Sequence, residues 1–181
     1  MAFAKLAEKI ADFMITRRSK TQAVNFSRIA VDFKTCLICM PSSLEMVRTA
    51  AVILPLLAST FPNRKINVLL SSSVDPQSHE IIKKFATTRM SDSDVDRFSL
   101  PTREFMARLS EGGVGICIDM DPYPNFLNSV ICLRSGAMVR AAFEKGVGLP
   151  YYNFLVKTVD KEGPLKEKYT VMAQLLQNFG S

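Results

Sequence analysis

The sequence predicts an α/β domain: a mostly parallel sheet of five or six strands with helices on both faces. Three observations carry this. From residue 34 onward, short apolar runs of strand type alternate with amphipathic runs of helix type, the pattern of successive strand–helix units rather than of hairpins. Two strand runs, "CLICM" (36–40) and "GICID" (115–119), are apolar on both alternating faces, which suits central strands covered on both sides. The helical runs stop at Gly112-Gly113, Gly136 and Gly180, as helix ends commonly do.

Taken in order, residues 3–16 form an amphipathic helix, with Phe3, Leu6, Ile10, Phe13 and Met14 on one face. Residues 17–27 read as a linker. "SRIAVDF" (27–33) and "KTCLICM" (34–40) read as strands, and residues 43–60 as one helix. "KINVLLS" (65–71) is a strand after the Pro62-Asn63 turn, and "SHEIIKKFA" (78–86) a helix capped by Ser78. "DRFSL" (96–100) is a short strand, "TREFMARLSEGG" (102–113) a helix and "VGICIDM" (114–120) a strand. "NFLNSVICLRSGA" (125–137) is a helix and "MVRAAFE" (138–144) a strand. "PLKEKYTVMAQLLQNFG" (164–180) is a helix with proline near its first turn. This divides the chain into an N-terminal helix and linker (1–25), an α/β domain (26–160) and a C-terminal helix (161–181).

Composition excludes several classes. Hydrophobic residues make up 48% of the 181 and charged residues 22%, a globular rather than a disordered balance. No apolar run approaches the roughly 20 residues of a membrane span, and the N-terminal charges are spread unlike those of a signal peptide; the expected compartment is the cytoplasm. The net charge of +6 lies about half in the first 20 residues and forms no basic stripe, so no nucleic-acid partner is expected. Helix 3–16 packs on the domain or on a partner; peripheral contact with the inner membrane is its alternative role.

The four cysteines suit a reducing compartment. Cys36-x-x-Cys39 has ligand spacing, but residues three apart on a strand face opposite ways, and no second pair or nearby histidine completes a site. Cys36, Cys39, Cys117 and Cys132 are therefore read as buried thiols, with no metal and no cofactor. His79, the single histidine, has no triad partner, and no phosphate-binding glycine motif occurs.

Two stretches remain at the carboxyl ends of strands, where α/β sheets bind ligands. In "MPSSLEMV" (40–47), Ser42-x-x-Glu45 matches a capping box; the other role for Glu45 is a general base. In "IDMDPYP" (118–124), Asp119 and Asp121 share a strand face. They suit a metal or a sugar hydroxyl, or one of them caps the next helix.

Together, "CLICMPSSLEMVRTAAVILPLLASTFPNRKINVLLS" resembles the opening of the glycosyltransferase family 9 heptosyltransferases, with their Ser-Ser-x-Gly-Asp-Val turn, proline-containing helix and Phe-Pro turn. "VGICIDMDPYPNFLNSVICLRSGAMVRAAFEKG" is similar to that family's Asp-Leu-Val-Ile-Asp-Leu strand and Ser-Gly-Ala-x-x-Arg segment. The likeness covers residues 34–146. It implies a Rossmann-like domain, the acceptor-side half of a GT-B fold, without the donor-binding half, and a C-terminal helix that packs back on the domain. The family's Gly-Asp pair, whose aspartate is the expected base, aligns with Glu45-Met46. Methionine cannot accept a proton, and Glu45 stands one position early, so the resemblance also favours a cap. Ser42 and Ser43 match the turn and, with Asp119 and Asp121, are the candidate ligand-binding residues. The expected role is non-catalytic binding of a glycan or phosphorylated ligand, or of a partner chain: a second copy or a separate donor-domain protein. The alternatives are an acceptor half completed by that donor protein, with Glu45 as base, and a structural assembly module.

Overall fold

A computed structural model describes residues 9, 12–13, 15–17, 34–75, 79–158 and 163–177. The expected strand at 27–33, the Ser78 cap and the Gly180 stop lie outside these residues. Six strands form one parallel sheet: β1 (Thr35–Cys39), β2 (Lys65–Leu70), β3 (Ala86–Arg89), β4 (Val114–Asp119), β5 (Val139–Phe143) and β6 (Phe154–Val156), in the order β3-β2-β1-β4-β5-β6. The two doubly apolar strands, β1 and β4, are the central pair, and every residue in both is buried.

The pleat sorts their side chains into two cores. Cys36, Ile38, Ile116 and Ile118 face a layer made by α1 (Leu44–Ala51), α2 (Leu54–Thr60) and α5 (Leu165–Gln177). Leu37, Cys39 and Cys117 face a layer containing α3 (Arg103–Leu109) and α4 (Phe126–Arg134). The C-terminal helix thus belongs to the domain core: Tyr169, Met172, Ala173 and Leu176 are fully buried, and Tyr169 packs edge-on against Phe143. Burying a large apolar side chain contributes about 1.5–3 kcal/mol, so this single face anchors α5 strongly. Among the described residues, no helix is long and apolar enough to cross a membrane.

Four local expectations need correction. The helix expected over 43–60 is two helices, broken at Val52–Ile53. Pro55 has no N–H to offer Ala51 and its ring crowds that carbonyl. "SHEIIKKFA" forms only a 3-10 turn, Ile82–Lys84, and its last residue begins edge strand β3, which is mostly exposed and therefore lacks an apolar pattern. "DRFSL" is a turn rather than a strand: Asp96 Oδ1 accepts from the backbone N–H groups of Phe98 and Leu100, with a single bridge between Val95 and Pro101. The helix N-cap is Ser43, not Ser42: its Oγ accepts from Met46 N–H at 3.5 Å. Glu45 is therefore one position short of the residue that closes a capping box, and it is exposed.

Candidate functional site

The chain leaves β1 to build β2 and β3 on one side, then returns to β4 on the other. This reversal between β1 and β4 is the switch point at which open α/β sheets form a crevice beyond the strands' carboxyl ends. It sets Met40–Ser43 beside Asp119–Asp121, and a cavity of about 430 Å³ lies there. Ser42, Met46, Ser99, Asp121 and residues 123–127 line it. A second cavity, of about 380 Å³, lies on the far side of the 124–126 segment, between helical residues Lys9 and Asp12, Ser129 and Tyr151.

The two aspartates occupy different positions. Asp119 is wholly buried and saturated. Its Oδ1 accepts from Asn128 Nδ2 at 2.9 Å and from Asp121 N–H at 3.0 Å. Its Oδ2 accepts from Lys145 Nζ at 2.6 Å and from the Tyr152 hydroxyl at 2.5 Å. The Lys145 side chain is itself only 2% exposed, and it also donates to the Asp121 carbonyl at 2.9 Å. A buried charge is tolerated only when paired and hydrogen-bonded, and here both conditions are met. Burial, and then the Asp119 charge, push the Tyr152 phenol far above its ordinary value, so it stays a donor.

Asp121 borders the cavity. Its Oδ1 accepts from Tyr123 N–H at 3.1 Å, and its Oδ2 from Asn125 Nδ2 at 3.1 Å. The Ser42 N–H and Oγ both approach Oδ2 at 3.4 Å, long for hydrogen bonds. Ser42 is exposed and so remains free to turn toward a ligand. Asn125 caps α4 through Oδ1, which accepts from Asn128 N–H at 3.1 Å, and thereby holds the rim. Tyr123 is 61% exposed on that rim. Behind it, the Tyr169 hydroxyl is buried and has no hydrogen-bond partner among the described residues. Burial, then the charges of Asp121 and Asp119, push its phenol up.

The sequence candidates thus divide. Ser42 and Asp121 line the cavity, Ser43 is occupied as the N-cap, Asp119 is sealed beneath, and Glu45 is not in the lining. Met46, where the resemblance places the base, faces the cavity. Sequence reasoning missed Lys145 and Tyr152. Both reach Asp119 from 26 and 33 positions away, and a lone lysine or tyrosine carries no local signal of such a partner. It also missed that Cys39, Cys117 and Cys132 converge, with their sulfurs all within 4.8 Å of one another.

No protein-family model matches the chain, and no curated protein does. Among solved structures, the ADP-heptose lipopolysaccharide heptosyltransferase II of E. coli is similar in fold, with a TM-score of 0.60 at 17% identity over 78% of this chain. The chain spans 40% of the length of that enzyme.

Proposed function

We propose that the domain is a glycosyltransferase-like binding module that takes a glycan or phosphorylated sugar in the β1–β4 crevice and does not itself transfer a sugar. The observation that carries this is the cavity at the switch point, with hydrogen-bonding groups on its rim and, among the described residues, no free carboxylate in its lining. Ser42 supplies a hydroxyl and a backbone N–H for sugar or phosphate oxygens. Asn125, held by Asp121, supplies an amide, and Tyr123 an exposed ring against which a sugar face packs. Proton abstraction needs a base within reach of the acceptor hydroxyl. Asp121 is only 2% exposed and already accepts on both oxygens, and Met46 stands at the position of the base in the resemblance.

The fold likeness to the E. coli enzyme supports a phosphorylated, heptose-containing oligosaccharide as the first ligand to try. Calorimetric titration should show saturable binding, weakened about 3–10-fold by Ser42→Ala, the worth of one hydrogen bond. Tyr123→Ala should weaken it further while leaving the exposed rim folded. Unchanged affinity in both variants would place the site elsewhere. The 40% coverage favours one second reading, an acceptor half completed by a separate donor-domain protein. Turnover of ADP-heptose only when such a protein is added would favour that reading; turnover by the chain alone would refute the non-catalytic one.

A further inference from the structure

We propose that Cys39, Cys117 and Cys132 form a three-sulfur site for a soft monovalent cation, Cu(I). The three come from different elements, β1, β4 and α4, and meet on the α4 side of the sheet. Cys39 lies opposite Asp119 in the β1–β4 register, so Cys117 is its diagonal neighbour on the same face. The Cys39 and Cys117 sulfurs are 3.9 Å apart, those of Cys117 and Cys132 are 3.2 Å apart, and no pair exceeds 4.8 Å. A cation with sulfur bonds of about 2.3 Å, bound in a plane by three thiolates, needs sulfurs about 4.0 Å apart. One pair already stands at that value and the others lie within about 0.8 Å of it, a gap that small rotamer adjustments close.

Chemistry selects the cation. Thiolates favour soft ions. Structural Zn(II) takes four ligands in a tetrahedron, and no histidine or fourth cysteine reaches this point: His79 is remote in the chain at the β3 end, and Cys36 faces the opposite core. Cu(I) is satisfied by three sulfurs in a dry pocket. Binding releases the thiol protons and leaves copper as Cu(I), with no electron transferred. Charge is offset nearby: Arg140 acts electrostatically on Cys117 and Cys132, and its guanidinium is held in place by the Tyr151, Ala137 and Pro150 carbonyls. Ser135 Oγ donates to the Cys132 carbonyl at 2.7 Å and accepts from Ala137 N–H at 3.2 Å, fixing the end of α4 that carries Cys132. The three sulfurs are fully buried; the 380 Å³ cavity reaches Ser129, one turn of α4 from Cys132, without opening onto them.

The full chain, reduced and handled anaerobically, would be titrated with Cu(I) as its acetonitrile complex against a bathocuproine competitor. One Cu(I) per chain should be retained by the wild type and by Cys36→Ala. Affinity should fall about 100-fold or more in Cys132→Ala, checked for folding by circular dichroism. Copper K-edge absorption on the wild type needs no variant, and should show three sulfurs at about 2.3 Å. Failure of the wild type to hold Cu(I), equal losses in Cys36→Ala and Cys132→Ala, fewer than three sulfurs, or tighter capture of Zn(II) would each overturn the assignment.

Discussion

Lys145→Met is the substitution that most sharply probes how this domain holds its binding edge. Lys145 Nζ is 2.6 Å from Asp119 Oδ2, with the two side chains 2% and 0% exposed. Methionine keeps much of the stem's volume but leaves a buried carboxylate without its cation. Removing one partner of a buried ion pair costs about 3–5 kcal/mol, because the survivor stays desolvated and uncompensated. For a chain of this length that corresponds to a fall of about 8–13 °C in thermal midpoint. The Asp121 carbonyl also loses its lysine donor, which adds to rather than offsets the loss. The companion Asp119→Asn, Lys145→Met double variant separates charge from packing. The introduced amide keeps an oxygen for Asn128 and Asp121 N–H, and its NH₂ donates to Tyr152, whose hydroxyl then donates to Ser129 Oγ at the observed 2.8 Å. The double variant should therefore recover at least half of the single variant's loss. The assay is thermal and urea unfolding of the wild type, the Lys145→Met and Asp119→Asn single variants and the double variant by far-ultraviolet circular dichroism, read as a double-mutant cycle. A loss under 1 kcal/mol in Lys145→Met, or a double variant as unstable as the single, would refute the account of Asp119 as a sealed, charge-paired group.

Other substitutions test separate parts of the structure. Ser43→Ala should cost about 1 kcal/mol in urea denaturation, whereas Glu45→Gln should change stability by less than about 0.5 kcal/mol, as expected of an exposed surface position. Tyr169→Phe removes a buried hydroxyl that has no partner among the described residues, so it should be neutral or stabilising by about 1 kcal/mol rather than destabilising; a loss above 1 kcal/mol by the same assay would show that this hydroxyl is paired. Asp94 gives a pH dependence. Burial alone would raise its carboxyl, but hydrogen bonds from Ser91 N–H and Oγ, then Arg108 at 2.8 Å, hold it below the ordinary carboxylate value. A depressed folded value stabilises above the unfolded value of about 3.9 and is lost as pH falls through the folded one. The stability difference between wild type and Asp94→Asn should accordingly be full at pH 6 and shrink below about pH 4, as followed by urea midpoints.

Much of this architecture was legible in the sequence, for physical reasons that also explain the rest. β1 and β4 are read correctly because a strand buried on both faces must be apolar at consecutive positions. α3 and α4 are read because their apolar stripes agree with their Thr102 and Asn125 caps and the glycines that follow, and α5 because of its apolar stripe after Pro164. β3 is missed because an exposed edge strand, "ATTR", needs no apolar face, and β6 because three residues are too few for a pattern. The cap falls one residue later than expected because adjacent serines offer the same chemistry, and the break before Pro55 is hidden because the apolar pattern continues on both sides of the proline. At the site, position on the sheet edge follows from local punctuation, which brings Ser42 and Asp121 into view. Which aspartate faces the cavity does not, since it depends on Lys145 and Tyr152, supplied by the loop after β5. The convergence of three cysteines likewise exists only once α4 has packed on the sheet.

The central claim, that the β1–β4 crevice binds a sugar or phosphorylated glycan, is tested most directly by ¹³C-methyl methionine NMR during titration with the heptose-containing oligosaccharide. Met46 lines the crevice, while Met172 is fully buried in the core between α5 and the sheet, outside the cavity lining, and serves as an internal control. The account predicts a saturable shift of the Met46 methyl, with Met172 unmoved and the Met46 shift abolished or right-displaced in Ser42→Ala. A ligand that saturates the chain while the Met46 methyl stays in place would contradict it.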